Sequence, residues 1–252
     1  MRNKCVPGRI KMDSGVSVAL VSGVTALAVA GVSVPLKYWL SVRTRRDQSQ
    51  DIMSLYRDPL LWSVHDLRTR VATILHQDFL THPLGEGETR AEYALRHTQF
   101  AFAEYFGWVE ILRRSVGFLD LGDRRKNRKL VEHFAMIRRV FYAGGLDAAF
   151  QVLYGEQRAI GELMISQDVG PAGRIWRCFG FAEFDTLLDQ DERFAKWLSP
   201  IRDSVHKFID GSDAGLGRLI ALKGQLDDLI EFLDPGGIRF PLRESEWHDF
   251  TP

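Results

Sequence analysis

The sequence predicts a mostly α protein: an N-terminal transmembrane helix followed by a multi-helix bundle, with room for one small β-hairpin. Three observations predict it. An uncharged run of 23 residues ends in a basic cluster. Apolar residues recur at three- and four-residue spacing over most of the remaining chain. Proline, glycine and aspartate punctuate the intervals at helix-length distances.

The anchor comes first. Between Asp13 and Lys37 stands SGVSVALVSGVTALAVAGVSVPL, without a charge. As a helix it spans about 34 Å, enough for a hydrocarbon core of about 30 Å. Tyr38 and Trp39 follow where interfacial aromatics sit, and then Arg43, Arg45 and Arg46. That arginine cluster places the body after it in the cytoplasm. The upstream flank, with Arg2, Lys4, Arg9 and Lys11, is also basic, and a start at Met12 rather than Met1 would remove most of that charge. A signal peptide cleaved after Ala28-Val29-Ala30 is the competing reading. Against it, the apolar run continues to Leu36 and stops at basic residues, as a stop-transfer segment does. A buried globular helix is disfavoured because Gly, Ala, Ser and Val bury little core area for their number. The organisation expected is a tail over 1–13, the anchor and its basic end over 14–46, a hinge or short helix over 47–57, a helical bundle over 58–234 and a tail over 235–252.

In the body, Asp58-Pro59 reads as an N-cap and first helical position. Leu60, Val64, Leu67, Val71, Ile74 and Leu75 then carry a helix to about Leu80, broken by HPLGEG. A long helix is expected from Thr89 to Leu121. A further one, capped by Asp123, runs from Arg124 to Tyr142 and is stopped by Gly144-Gly145. FQVLY (150–154) and RIWRCFGF (174–181) are rich in β-formers and bracket GEQRAIGELMI, so they either pair as a hairpin or end helices. Shorter helices fill 181–211, punctuated by Pro200. Ser212 and Asp213 cap a last helix that Asp234-Pro235-Gly236-Gly237 ends. Its Leu219, Leu222, Leu226, Leu229 and Leu233 step by 3, 4, 3 and 4. Ile220, Ile230 and Phe232 widen that stripe beyond a coiled-coil seam, which favours a core-facing bundle helix.

Charge narrows the function classes. The chain is formally neutral, but residues 1–46 hold eight Lys or Arg against Asp13 alone. They carry +7, and the other 206 residues carry −7. An acidic body is a poor nucleic-acid binder, since phosphate neutralisation supplies most of that affinity. The two cysteines, Cys5 and Cys178, build no disulfide framework and no CxxC, which fits a reducing compartment.

Candidate chemistry is sparse. In FGWVEILRRSVGFLDLG (106–122) the stripe Ala103, Gly107, Glu110, Arg114 and Gly117 sets a Glu–Arg pair at i,i+4 among small residues that admit a neighbouring helix. Phe102, Tyr105, Phe106, Val109, Leu112, Val116 and Leu119 form the core face. Arg158 and Glu162 make a second pair. The functional reading brings Glu110, Arg114, Arg158 and Glu162 together as a polar site inside the bundle. The plainer one leaves two structural ion pairs, each worth less than about 1 kcal/mol if exposed.

No Glu-x-x-His spacing for a carboxylate metal site occurs. His97 and Glu104 lie about 10 Å apart along a helix; His65 and His76 are farther apart; Glu244 and His248 stand alone in a polar tail. No metal and no cofactor are expected. GxSxG, a phosphate-binding lysine loop and a dinucleotide fingerprint are absent. DGSDAG (210–215) lacks the ligands of a calcium loop. Cys178 has no identified base and reads as a small core residue. GDRRKNRK (122–129) packs five cations into six positions and reads either as a solvated helix start or as a contact for anionic lipid.

FGWVEILRRSVGFLDLG together with GEQRAIGELMI resembles a pattern of uncharacterised bacterial membrane-anchored helical proteins, over most of the chain after residue 55. The resemblance implies no activity, ligand or catalytic residue. The function expected is therefore a single-pass, membrane-anchored interaction or regulatory module with a cytoplasmic body. Its partners would be the bilayer and a protein or a second copy, and not nucleic acid. The alternative is a membrane-tethered enzyme using the Glu/Arg site, with His97 or His206.

With a reporter fused after Pro252, the expected result is a membrane-bound body protected from external protease. A soluble exported body lacking the residues before Gly31 would sink the anchor.

Overall fold

The computed structural model describes residues 56–76, 88–115, 124–170 and 173–239. Contacts divide the chain into two units, Met1–Gln50 and Asp51–Pro252, and every described residue belongs to the second. The expected anchor, with Tyr38, Trp39, Arg43, Arg45 and Arg46, lies outside the described residues. Gly117, the Asp123 cap and the Glu244/His248 pair lie outside them too. Among the described residues no helix is long and apolar enough to cross a membrane.

The described body is helical, as the periodicity predicts, and holds one hairpin, an alternative the sequence left open. Helix α1 covers 56–75, α2 Glu88–Ser115, α3 Arg124–Tyr142 and α4 Tyr154–Leu163. Strands β1 (Ile165–Gly170) and β2 (Gly173–Cys178) follow, then α5 (Phe181–Gln190), α6 (Glu192–Ile209) and α7 (Leu216–Leu233).

Helix α2 is the axis of the packing: α4, α5, α6 and both strands lie against it. Helix α1 is tied to it by Arg70, which donates to Thr98 Oγ1 at 2.7 Å and to the Ala94 carbonyl at 2.6 Å. Helix α7 packs on α3 and reaches α1 through Arg68 and Asp227, 2.7 Å apart. The leucines of α7 step into the core, where Leu219, Leu222, Leu226 and Leu229 have no exposed surface. The stripe therefore serves the bundle; Ile220 stands outside it, 62 % exposed.

Several local expectations are corrected. Helix α1 is already formed at 56, so Asp58 is not its cap and pairs instead with Arg239. The hairpin does not use FQVLY. Its strands are ISQDVG and GRIWRC, antiparallel, with Ile165 opposite Cys178 and Gly170 opposite Gly173. FQVLY instead buries Phe150 and Val152 in a loop and opens α4 at Tyr154.

Pro200 does not punctuate; it lies inside α6. Its missing N–H would leave the Lys196 carbonyl without a partner, and the Ser199 hydroxyl donates to that carbonyl at 2.8 Å. The N-cap of α7 is Gly215 rather than Ser212 or Asp213. Gly215 has φ +93°, and a Cβ there would lie 2.9 Å from side-chain atoms of Ala149 and Phe150, so both the dihedral and the close approach require glycine.

One residue of α7 fell outside every sequence motif. Arg218 has no exposed surface and turns its guanidinium onto the chain leaving α3. It donates to the carbonyls of Phe141 at 3.0 Å, Ala143 at 2.9 Å, Asp147 at 2.6 Å and Ala149 at 3.1 Å, and to that of Val140. The carbonyls that end α3 lack donor partners within the helix and carry the negative end of its dipole, so a cation there is doubly favoured. Burial nevertheless pulls the pKa of Arg218 below the ordinary arginine value, and the charge of Asp147 opposes that shift.

Arg218→Met keeps the apolar stem but strips these carbonyls of their donors, each such loss costing about 1–3 kcal/mol. A drop of at least about 3 kcal/mol in unfolding free energy, read as a lower urea midpoint, is expected. A loss under about 1 kcal/mol would contradict the role given to Arg218.

Candidate functional site

Two glycines allow the crossings on which the site is built. Gly161 of α4 sits so close to α2 that a Cβ there would lie 2.6 Å from the Phe106 carbonyl oxygen and 3.1 Å from Glu110 Cβ. A Cβ at Gly107 would meet Cys178 Sγ at 2.6 Å and Met164 Cβ at 3.0 Å. Gly107, a member of the predicted stripe, thus admits the hairpin and Met164, whereas α4 closes on α2 through its own Gly161, which the stripe did not include.

At this crossing the four candidate residues come together. Glu110 is 4 % exposed. Arg114 donates from Nε to its Oε1 at 2.5 Å. Arg113, which the i,i+4 argument passed over, grips both oxygens at 2.6 Å through Nε and Nη2. Glu162 Oε1 lies 2.9 Å from Arg158, 3.8 Å from Arg113 and 3.7 Å from Arg114. The result is one continuous chain of alternating charge, with the Arg114 guanidinium also lying 4.9 Å over the Trp176 ring of β2. Burial raises the pKa of Glu110, but the hydrogen bonds and charges of Arg113 and Arg114 outweigh it and hold the carboxyl below its usual range.

Beside this network opens a cleft of about 400 Å³ between α2, α3 and α4. Tyr105, Phe106 and Val109 line it from α2, Val131, Phe134 and Ala135 from α3, and Tyr154 and Gln157 from α4. Glu110, Arg113, Arg138 and Arg158 supply its charged lining. Arg138 lies 4.8 Å over the Tyr154 ring, and among the described residues no carboxylate pairs with it. Gln157 braces the α4 wall by donating to the Val152 carbonyl at 2.7 Å.

His97 and His206 do not join the site. His97 stacks on Tyr93, ring centroids 5.7 Å apart, thirteen residues before Glu110 and thus about 20 Å along α2. Burial, and then the charge of Arg70, lowers its pKa. His206 is exposed on α6. Burial pushes the Cys178 thiol up, away from thiolate chemistry. Among the described residues no group of three or more metal-binding side chains is poised to hold an ion.

A further titratable group entered the sequence reading only as a distant partner for His97. Glu104 lies six residues before Glu110 and so points about 120° away around α2. Its Oε2 is buried without a hydrogen-bond partner. Burial and the nearby charge of Asp66 push its pKa up to about 7, against a hydrogen bond from Trp108.

The two carboxyls therefore carry opposite pH signatures. Glu110 has a depressed folded pKa, so its contribution is present above an unfolded value of about 4.3 and is lost as pH falls through the folded value. Glu104 has a raised one, so its proton favours the fold at low pH and that favour is lost as pH rises toward about 7. Glu110→Gln is expected to cost about 1–3 kcal/mol at pH 7 and less at pH 3. Glu104→Gln is expected to gain about 1–3 kcal/mol at pH 8 and little at pH 4. Chemical melts across pH check both, and equal effects at the two ends of either pH range would refute the assignment.

Comparison with protein-family models, with curated proteins and with solved structures finds no match to the chain. What the site does has to come from its own chemistry.

Proposed function

We propose that the chain is a membrane-anchored helical interaction or regulatory module with a cytoplasmic body, held at the bilayer by segment 14–36, and that its working surface is the cleft between α2, α3 and α4. Kinship with bacterial membrane-anchored helical proteins, drawn from the two segments at the α2–α4 crossing, is part of the same proposal. The observation that carries it is the pairing of a clamped Glu110 with an open, apolar-lined cleft.

A catalytic carboxylate must exchange a proton or attack a bond. Glu110 is held ionised with both oxygens occupied by guanidinium groups, which opposes either act. The carboxyl poised near neutrality, Glu104, does not line the cleft. A concave apolar surface with a few fixed polar groups is what a binding site requires, and the Glu/Arg network supplies a rigid edge to it. The enzyme alternative draws only on the convergence of Glu110, Arg113, Arg114, Arg158 and Glu162, which a structural network explains equally well.

A photo-crosslinking residue placed at Val131, in the full chain in living cells, should give discrete adducts in the membrane fraction. The same residue at Asp203, on exposed α6, should not. Adduct mass separates a second copy from another partner. Identical patterns at the two positions would sink the cleft as the working surface.

A further inference from the structure

Among the described residues the charge around the cleft does not balance. Four guanidinium groups, of Arg113, Arg114, Arg138 and Arg158, gather around two carboxylates, Glu110 and Glu162. Glu110 consumes the hydrogen bonds of Arg113 and shares Arg114, and Glu162 takes the Nε of Arg158. That leaves Arg138, spread flat over Tyr154, with no acid to answer it among the described residues. A planar guanidinium fixed by stacking presents its free edge as a ready fork for a carboxylate or a phosphate.

The wall beside that fork is hydrocarbon. Phe106, Val109, Phe134 and Ala135 line the cleft together with Glu110 and Arg138, and Val131, also of the lining, remains 53 % exposed. The volume, about 400 Å³, falls within the range of about 300–1,000 Å³ common to small-molecule sites. An uncharged apolar ligand would leave the Arg138 charge without a counterpart. A small free anion would leave the apolar wall wet. One molecule with both parts satisfies both surfaces.

We propose that the cleft binds an anionic amphiphile: a single acyl chain against Phe106, Val109 and Phe134, with a carboxylate or phosphate head on the Arg138 fork and the free edge of Arg158. This rests on the reading of the cleft as a binding surface and names its ligand. Two sources share that chemistry, a free fatty acid and an anionic phospholipid of the bilayer. On α3, Arg128 lies three residues before Val131, on the same face as the cleft lining; its side chain is 83 % exposed and lies 3.6 Å from Glu132, a solvated pair weak enough for an anionic surface to displace the carboxylate.

The test uses the full chain in nanodiscs of zwitterionic lipid. A diazirine-bearing fatty acid and the matching fatty alcohol are photolysed with it, and labelled peptides are mapped by mass spectrometry. The acid should label α2 and α3 around Val109 and Phe134, with octanoate and octyl phosphate competing and inorganic phosphate failing to compete. Arg138→Gln should weaken labelling by about ten-fold, the loss of one charge-assisted contact, and Arg138→Lys should lie between, since it keeps the charge but loses the fork. Circular dichroism confirms that each variant is folded.

Suppression of labelling when the discs contain phosphatidylglycerol identifies the bilayer as the source. Competition by octanoate with no effect of phosphatidylglycerol in the discs identifies the free acid. Equal labelling by the alcohol, or no change in Arg138→Gln, overturns the inference. No labelling of the cleft by the acid also overturns it; the binding reading survives that result if the Val131 crosslink in cells persists, and falls with it if the crosslink is absent.

Discussion

A positive charge sealed away from water, the guanidinium of Arg218, decides where two of the three walls of the cleft stand. Burying a lone cation is costly unless hydrogen bonds replace its hydration. Here the replacement comes from backbone carbonyls between Val140 and Ala149. The chain leaving α3 is wound around the guanidinium, and the loop into α4 inherits that path. The Val152 amide donates back to the Phe141 carbonyl at 3.0 Å, and α4 starts two residues later. Phe150, forced to φ +55°, is buried and stacks on Phe102 with centroids 6.1 Å apart. A left-handed dihedral costs a residue with a Cβ about 1–2 kcal/mol. The hydrogen bond its amide donates to Ser204 Oγ at 2.7 Å and its buried ring offset that cost. The end of α3 and the start of α4, and with them the stacked Arg138 and Tyr154, thus depend on one side chain of α7 that bonds the last carbonyls of α3.

The third wall is set differently. Helix α2 is approached closely because glycines at its crossings leave no room for side chains, so backbone and Glu110 come within contact of α4. A carboxylate enclosed in this way needs charge-assisted donors, and the two arginines of the next turn supply them without recruiting any distant element. The network is therefore local to α2 first and joins α4 second, through the longer contacts to Glu162. Separations near 4 Å between half-exposed groups contribute little. The stability of the site resides in the Glu110 clamp.

How much of this was legible depends on what each feature is made of. The helices could be read because burial repeats every 3.6 residues, and α3 and the end of α7 coincide with the expected bounds. The convergence of Glu110, Arg114, Arg158 and Glu162 was legible as two i,i+4 pairs beside small residues. Arg113 was missed only because the i,i+3 neighbour was not weighed. Arg218 was not legible, since its partners are carbonyls, which every residue possesses and no side-chain pattern marks. The first strand, ISQDVG, is polar, and Val169 is 90 % exposed. It pairs with its neighbour through proximity along the chain, whereas FQVLY spends its β-forming residues on burial in a loop. Pro200 misled because a helix can pass a proline when a nearby hydroxyl meets the freed carbonyl.

Glu104 and Glu110 show why residue type alone cannot assign chemistry in this bundle. They are the same side chain, less than two turns apart on one helix. One is held ionised by two guanidinium groups, while the other is pushed toward neutrality by burial beside Asp66. Rotation about α2 is the whole difference: one projection meets the next turn's arginines and the other an apolar interface with a second acid. A proton-transfer site needs the second environment at the mouth of a cavity. The cleft has the first instead, so its carboxylate stays charged while its hydrocarbon floor stays open. A fixed charge pattern next to apolar surface suits discrimination among ligands by head and tail, and it needs no group that changes state. That is why the role proposed for the cleft is recognition.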